Sequence, residues 1–232
     1  MTGSSQAAAL IIPALNEAPV IGETVRRVPA GWFRTVIVAD NGSTDGTAEV
    51  AAAAGAEVVR QAERGYGAAC LQAIAALPRE IAIVVFMQAD GSEDPEEAGK
   101  LIAPIVDERA DLVLGSRVMG GAEQGALLPH QRFGNWLATR LIHWFWGWRY
   151  TDLGPFRAIR RESLDKLAMR DRNYGWTIEM QVRALKRGLR VMEVPVSYGV
   201  RRAGTNKVSG NWKGSLLAGY KILAVIGREL IA

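Results

Sequence analysis

The sequence is poor in the residues that build disulfides and histidine metal sites, with one cysteine and two histidines among 232 residues. The single thiol, Cys70, cannot form an internal disulfide, so the fold depends on a hydrophobic core and is compatible with a reducing compartment. His130 and His143 do not have the spacing of a metal site. We therefore expect neither a disulfide scaffold nor a histidine-based metal centre.

Long uninterrupted apolar runs are also missing. The apolar run near the N-terminus is short and has no basic residues before it, so we expect no secretory signal peptide. The apolar stretch 211–232 contains Lys213, Lys221 and Arg228 at spacings of eight and seven, which places these cations on one face of a helix. This pattern predicts an amphipathic helix on the surface of a membrane or over the protein's own core, and argues against a bilayer-spanning helix. We expect a cytoplasmic location, with the inner face of the membrane as the further option.

Charge is distributed unevenly, although the net charge is only +4. Residues 1–128 contain 9 Lys and Arg against 17 Asp and Glu, a net of −8, whereas residues 129–232 contain 19 against 7, a net of +12. A basic C-terminal half suits phosphate groups, an anionic membrane surface or nucleic acid. For any individual arginine, a solvated position on the surface is the alternative.

Strands and helices alternate along the first half of the chain. Short apolar, β-branched runs predict strands over 8–15, 35–40, 56–60, 81–87 and 111–117. Helices are predicted over 16–28, 68–77 and 95–108, and residues 43–54 are predicted to be a loop that passes into an alanine-rich helix. Further along, helices are predicted over 130–150 and 174–188, and a strand over 190–198. The alternation predicts an α/β fold with a mostly parallel sheet and helices on both faces.

Polar residues cluster where four of the predicted strands end, over 13–17, 40–46, 88–91 and 115–117. In open α/β sheets, ligands bind beyond the carboxyl ends of the strands. One acidic residue at such a position is commonly a helix N-cap. Several acidic strand ends on one edge of the sheet predict a ligand site.

Five motifs carry a resemblance to a known family: IIPALNE, VIVADNGSTDGT, QADGSEDP, GSR and VPVSYGVRRAGTNKVSG, in this order. Together they resemble family 2 glycosyltransferases of the GT-A fold, and among these the polyprenyl-phosphate sugar synthases. The resemblance implies a Rossmann-like GT-A domain over 1–210, followed by an amphipathic helix over 211–232. It also implies inverting transfer of a sugar from a nucleotide-sugar donor to an acceptor, which in this subgroup is a polyprenyl phosphate.

The resemblance implies a donor site made of Pro13, Leu15, Glu17, Asp40, Gly67, Gln88 and Asp90. Glu17 and Asp40 would hold the base and the ribose. Asp90 would be the main protein ligand of a divalent metal, Mg²⁺ or Mn²⁺, that neutralises the donor diphosphate. Gln88 stands where the family has an aspartate and offers an oxygen without charge, and Ser92 stands where relatives can have a third ligand. We therefore expect weakened metal binding.

Residues 65–67 and 93–94, which lie near the predicted donor site in the sequence, are expected to shape the backbone. The glycines of Gly65-Tyr66-Gly67 predict a tight turn that lets the donor approach the backbone. Glu93 and Asp94 precede a proline that suits a first helical turn, so we expect them to cap the following helix instead of binding metal. Cys70 is expected to be an inert thiol in the core.

The resemblance implies that four cations contact the acceptor phosphate: Arg117, Arg157, Arg201 and Lys207. The last two lie in RRAGTNKVSG, which resembles a loop that closes over phosphates, with a solvated loop as the alternative. Glu179 is the candidate general base, which a hydroxyl acceptor needs and an ionised phosphate does not. The alternative for Glu179 is an ion pair with Arg183 at i+4. The catalytic candidates are thus Asp90, Arg117 and Glu179.

The segment 130–150 is rich in aromatic rings at helical spacing and contains three arginines. Core packing and a membrane interface both account for this pattern, so peripheral membrane contact is a further expectation. A nucleic-acid-binding module would explain the basic half, but the acidic strand ends would repel phosphates in the absence of a metal, so we expect no nucleic acid partner. A pseudoenzyme that only binds a nucleotide sugar would explain Gln88 and remains an alternative.

Overall fold

The computed structural model describes residues 8–201 and the helix over 212–231, and within these residues a seven-stranded sheet forms the centre of the fold. Its strands are β1 Ala8–Ala14, β2 Thr35–Asp40, β3 Glu57–Arg60, β4 Ile83–Phe86, β5 Leu112–Ser116, β6 Arg157–Arg160 and β7 Val191–Pro195. Their order across the sheet is β3-β2-β1-β4-β6-β5-β7. Every neighbouring pair is parallel except the two that involve β6. The predicted α/β fold with a mostly parallel sheet is confirmed.

The helices are α1 Ala18–Arg26, α2 Thr47–Ala53, α3 Tyr66–Ala76, α4 Ala98–Val106, α5 Arg117–Gly120, α6 Pro129–Trp146, α7 Arg161–Leu167, α8 Trp176–Lys186 and α9 Trp212–Ile231. A short 3-10 turn, Pro95–Glu97, leads into α4. The helices predicted from sequence periodicity are confirmed, with small differences at their ends. α5 and α7 were not predicted, because each spans only one or two turns and shows little apolar periodicity.

Both faces of the sheet are buried, and the alternation of side chains along β1 shows how. Ala9 and Ile11 belong to the core shared with α3, α6, α8 and α9. Leu10 and Ile12 belong to the core shared with α1, α2 and α4. A strand that is covered on both sides needs apolar residues at every position, so β1 and β4 appear in the sequence as continuous apolar runs.

The strand β6 was missed by the sequence-based prediction. Its four residues, RAIR, begin and end in arginine, and only Ala158 and Ile159 are apolar. A strand this short with polar ends gives too little alternation to be recognised. Its antiparallel insertion between β4 and β5 separates two strands that follow each other in the chain. It also brings the start of β6 to the edge at which the parallel strands end.

The C-terminal helix α9 packs against α8 and α6 and covers part of the core. Val225 and Ile226 are buried in the same core as α8. Two of the three cations predicted on one face of α9 contact acids of the protein: Lys221 Nζ lies 3.1 Å from Asp171 Oδ2, and Arg228 Nη2 lies 2.7 Å from Glu179 Oε1. Of the two placements predicted for this helix, covering the core accounts for these contacts. Among the described residues, no helix is both long and apolar enough to cross a bilayer.

Candidate active site

A cavity of about 890 Å³ lies beyond the carboxyl ends of β1 and β4. Its lining includes the residues that follow these strands, 13–17 and 88–90. It also includes Arg117 at the start of α5, residues of α6, and Gly219 and Ile222 of α9. The cavity therefore occupies the sheet edge at which the sequence predicted a ligand site, and the C-terminal helix forms part of its wall.

Side-chain hydrogen bonds hold the loop after β1 against the loop after β2. Asn16 has a φ of 50°, a left-handed conformation that asparagine tolerates better than most residues. In this turn its backbone N–H donates to Ser43 Oγ (2.9 Å) and its side-chain oxygen accepts from the Thr44 N–H (2.8 Å). The next N–H, of Glu17, donates to Thr47 Oγ1 (2.8 Å). These bonds explain why IIPALNE and NGSTDGT form a single site although they are far apart in sequence.

The turn Gly65-Tyr66-Gly67 is packed against the chain at 171–172. A Cβ on Gly67 would lie 1.9 Å from the carbonyl oxygen of Asp171, and a Cβ on Gly65 would lie 2.1 Å from that of Arg172. Gly65 also lines the cavity, whereas Gly67 is buried outside its wall. The glycine at position 67 is thus explained by a close approach of the protein's own backbone, and contact of this turn with a donor remains a prediction.

Asp90, Ser92 and Gln88 form a cluster of oxygen atoms at the end of β4. Ser92 Oγ donates to Asp90 Oδ1 and lies 3.4 Å from Gln88 Oε1. Carboxylate, hydroxyl and amide oxygens are the hard donors that Mg²⁺ and Mn²⁺ accept, so these residues fit such an ion. The cluster carries only one negative charge, and the described residues contain no group of three or more His, Cys, Asp or Glu side chains able to hold a metal. The donor set therefore fits a weak site.

The two acids that follow this cluster have different roles. Asp94 caps the next turn as predicted, since its Oδ1 accepts from the Glu96 N–H at 3.1 Å. Glu93 was predicted to cap a helix, which is wrong: it is buried below the end of β4 and its Oε2 accepts from the Gln88 N–H at 2.7 Å. Burial raises the pKa of Glu93 to about 8, and the Gln88 N–H opposes that rise. A third acid at position 88 would add charge to this buried cluster, which gives a physical reason for a neutral glutamine there.

Arg117 lines the cavity and is held in place from behind. Its Nε and Nη2 donate to the two carboxylate oxygens of buried Asp152, at 2.7 and 2.8 Å. Its guanidinium also lies 5.0 Å from the ring centre of Tyr198. Burial lowers the pKa of Arg117, but the hydrogen bonds and the charge of Asp152 outweigh burial and raise it above the ordinary value. The residue is therefore a fixed cation at the wall of the cavity.

Arg201 lies between two acids of the site. Its Nη1 is 2.9 Å from Glu17 Oε1, and its Nη2 is 3.0 Å from Asp90 Oδ2. The predicted donor-side acids Glu17 and Asp90 are thus brought together, with a predicted phosphate-binding cation between them. The fourth predicted cation, Lys207, lies outside the described residues.

Two further predicted contacts do not line the cavity. Arg157 is buried and donates to the backbone carbonyls of Leu153, Gly154 and Thr177, and burial lowers its pKa. These bonds hold the guanidinium against backbone carbonyls, and contact of Arg157 with an acceptor remains a prediction. Asp40 is buried at the end of β2, where its Oδ1 accepts from the Ser43 N–H at 3.2 Å. Contact of Asp40 with a donor remains a prediction.

Glu179 lies outside the cavity wall, in a buried ion-pair network. Its Oε2 accepts from the backbone N–H groups of Arg170 (3.0 Å) and Asp171 (2.7 Å). Its Oε1 lies 2.7 Å from Arg228 and 3.2 Å from Arg183. The predicted alternative, an ion pair with Arg183, is confirmed. With both oxygens engaged and no exposed surface, the carboxylate is not placed to take a proton from an acceptor in the cavity.

Several residues that line the cavity were not selected from the sequence, among them Arg64, His130, Asn135, Tyr174 and Tyr198. Tyr198 links two parts of the site, because its hydroxyl donates to Gln88 Oε1 at 3.3 Å while its ring faces Arg117. Its position just after β7, in the quoted motif VPVSY, was the available signal. The contact itself depends on the tertiary fold, since β7 pairs with β5 and the chain after it reaches the residues that follow β4.

Comparison with known proteins identifies the family to which the chain belongs. A family model described as Glycosyl transferase family 2 matches residues 9–168, more than half of the chain. The chain belongs to glycosyltransferase family 2. This glycosyltransferase is 38% identical over 222 residues to an uncharacterized glycosyltransferase of Mycobacterium tuberculosis, covering 93% of this chain and 95% of that protein.

Two comparisons concern proteins with stated activities. The enzyme is 34% identical over 230 residues to a polyprenol monophosphomannose synthase of Mycolicibacterium smegmatis, covering 89% of this chain and 83% of that one. It also resembles the crystal structure of glucosyl-3-phosphoglycerate synthase from Mycobacterium tuberculosis in complex with Mn²⁺, UDP-glucose and phosphoglyceric acid. That match has a TM-score of 0.75 and 25% identity, and covers 96% of this chain and 80% of that one. The predicted GT-A architecture is confirmed.

Proposed function

We propose that this glycosyltransferase moves a sugar from a nucleotide-sugar donor to a polyprenyl phosphate at a membrane surface. The observation that carries the proposal is the lining of the cavity, which combines acids that follow β1 and β4 with a fixed arginine and apolar residues. A nucleotide diphosphate with its metal ion suits the acids, and a lipid phosphate suits the arginine and the apolar residues.

On the donor side, the protein supplies oxygen ligands and a hydrogen-bonded frame. Asp90, Gln88 and Ser92 would hold a divalent ion, which when bound neutralises charge that develops on the leaving diphosphate. Tyr198 and Ser92 orient Gln88, since both hydroxyls lie near its side-chain oxygen. Glu17 lines the same cavity, where it would contact the ribose or base. The Mn²⁺ and UDP-glucose of the structurally similar synthase support this assignment.

On the acceptor side, Arg117 supplies a cation whose direction is set by Asp152. A phosphate monoester brings its own ionised nucleophile and needs no general base. Of the described residues that line the cavity, the acids are Glu17 and Asp90, and both are paired with Arg201. The lack of an available carboxylate there favours a phosphate acceptor over a hydroxyl acceptor. Names of relatives such as the polyprenol monophosphomannose synthase agree with this choice.

Helix α6 connects the cavity with a surface suited to lipid. Its residues His130, Gln131, Gly134 and Asn135 line the cavity. The same helix exposes large rings to solvent: Phe133 (61% exposed), Trp136 (56%) and Trp144 (80%). Exposed aromatic rings together with arginines on one helix are typical of an interfacial segment. A lipid phosphate anchored in a bilayer would then present its head group beside the entrance to the cavity.

The decisive experiment is transfer to a short-chain polyprenyl phosphate in detergent, with UDP-, GDP- and dTDP-sugars as donors. We expect one donor class to give product, and Arg117→Ala to lower kcat/KM for the acceptor by about tenfold to a hundredfold, the scale of a lost charge-assisted contact. Arg109→Gln, which removes an exposed arginine paired with Asp107, is the matched control and should keep wild-type activity. Transfer to hydroxyl compounds alone, with Arg117→Ala unaffected, would refute the phosphate acceptor.

Membrane contact is tested separately by flotation with vesicles of phosphatidylcholine and phosphatidylglycerol. We expect the protein to float with anionic vesicles, and Trp136→Ala together with Trp144→Ala to reduce that fraction severalfold. Neither ring is part of the buried core, so the melting temperature should not change. Equal flotation of wild type and double variant would show that α6 is not the docking surface.

A further inference from the structure

The guanidinium of Arg201 lies beside the carboxylate of Asp90, where a bound metal ion would also have to lie. It bridges Glu17, which follows β1, and Asp90, which follows β4, at 2.9 and 3.0 Å. Both carboxylates are buried, and the arginine side chain itself is largely covered. Two acids from adjacent strand ends thus share one internal positive charge.

Arg201 contacts the carboxylate oxygen of Asp90 that Ser92 does not contact. Asp90 Oδ1 accepts from the backbone N–H and the hydroxyl of Ser92. Its Oδ2 is the atom that contacts Arg201 Nη2. A divalent ion that binds Asp90 would approach the oxygen now paired with the guanidinium, and the two positive groups would repel each other at that distance.

We propose that Arg201 is the resident counter-ion of Asp90 and competes with the divalent metal for this carboxylate, thereby setting the affinity of the metal site. The proposal deepens the proposed donor site and rests on it. When an ion binds Asp90, the guanidinium leaves Oδ2 and becomes available to the donor diphosphate. By linkage, whatever weakens the Arg201–Asp90 contact strengthens metal binding, and metal binding makes Arg201 more accessible.

The neutral residue at position 88 is consistent with such competition. Glu17 and Asp90 carry two negative charges, and Arg201 offsets one of them when no metal is bound. An aspartate at 88 would leave more negative charge buried beside Glu93, at a cost that a single guanidinium would not offset. The combination of glutamine with an internal arginine therefore keeps the site stable when no ion is bound.

The test is titration of the nucleotide-free protein with Mn²⁺ alone, with free ion followed by electron paramagnetic resonance. We expect Arg201→Gln to bind Mn²⁺ about tenfold more tightly than wild type, since a contact between charged groups contributes on that scale. Arg201→Lys keeps the charge and should stay near the wild-type affinity. Arg109→Gln is the control for loss of an exposed arginine elsewhere and should also match wild type. Asp90→Asn combined with Arg201→Gln should lose the gain.

The effect of Mn²⁺ on Arg201 can also be measured in the wild-type protein, so this test does not depend on the folding of a variant. In the wild-type protein, the rate at which phenylglyoxal modifies Arg201, followed by mass spectrometry, should rise severalfold when Mn²⁺ is added. Unchanged or weaker Mn²⁺ binding by folded Arg201→Gln, or no change in the modification rate at saturating Mn²⁺, would overturn the proposal. Failure of the proposed function is a separate result, because it would appear as absence of transfer from every nucleotide sugar while the Mn²⁺ titrations still differ between variants.

Discussion

Replacement of Glu179 by glutamine tests whether this carboxylate stabilises the fold or acts as a general base in transfer. The side chain is fully buried, and its Oε1 contacts Arg228 and Arg183 at 2.7 and 3.2 Å. In Glu179→Gln the amide can still accept the two backbone N–H groups, but its NH₂ group then faces two guanidinium groups. We therefore expect the substitution to destabilise the protein and to leave the chemistry of transfer intact.

The magnitude follows from the contacts that are lost. A hydrogen bond to a charged group contributes about 1.5–3 kcal/mol, and two such contacts are affected. The full sum is not expected, because Arg228 is 42% exposed and can be rehydrated, and Arg183 keeps its contact with Glu229 at 3.0 Å. A loss of about 3 kcal/mol is reasonable for one partner of a buried network. For a chain of this size it corresponds to a melting temperature lower by about 6–12 °C.

The assay combines a thermal melt followed by circular dichroism with transfer kinetics measured well below the melting temperature. Glu162→Gln removes an exposed acid in α7 and serves as the control, with no expected change in either measurement. We expect kcat for Glu179→Gln within a few-fold of wild type. A fall in kcat of about 10² or more with an unchanged melting temperature is the signature of a lost general base and would refute the structural assignment.

Three further predictions concern the donor side and the core. Gln88→Asp should tighten Mn²⁺ binding by about 1–2 kcal/mol through an added charge, and calorimetry showing equal or weaker binding would contradict it. Gly67→Ala should lower the free energy of unfolding in urea by about 1–3 kcal/mol, because its Cβ would meet the Asp171 carbonyl at 1.9 Å, whereas Gly134→Ala, with nothing within 4 Å, should not. Cys70 is fully buried and burial raises its thiol pKa, so a disulfide reagent at pH 8 should label it only in denaturant; labelling of the native protein would show that this part of the core opens.

The order of strands and helices could be predicted from the sequence because it depends on local patterns. Apolar runs bounded by turn residues marked β1, β2, β4 and β5, and the polar residues after them marked the ligand-binding edge. Prediction failed for β6, since four residues with arginine at both ends carry no periodic signal. The position of β6 between β4 and β5 depends on pairing between distant segments, which local pattern does not contain.

The sequence by itself therefore determined the α/β class, the family and the chemical types of residue at the site. Only the tertiary structure decided which of those residues share a cavity. Glu179 and Arg157 have the residue types of a base and a phosphate ligand, yet both are directed into the protein, where buried charges and donors must find partners. Arg201 and Asp90 are distant in sequence and meet in the fold. A side chain's partners depend on what the fold brings within about 3 Å, and that distance is a property of packing.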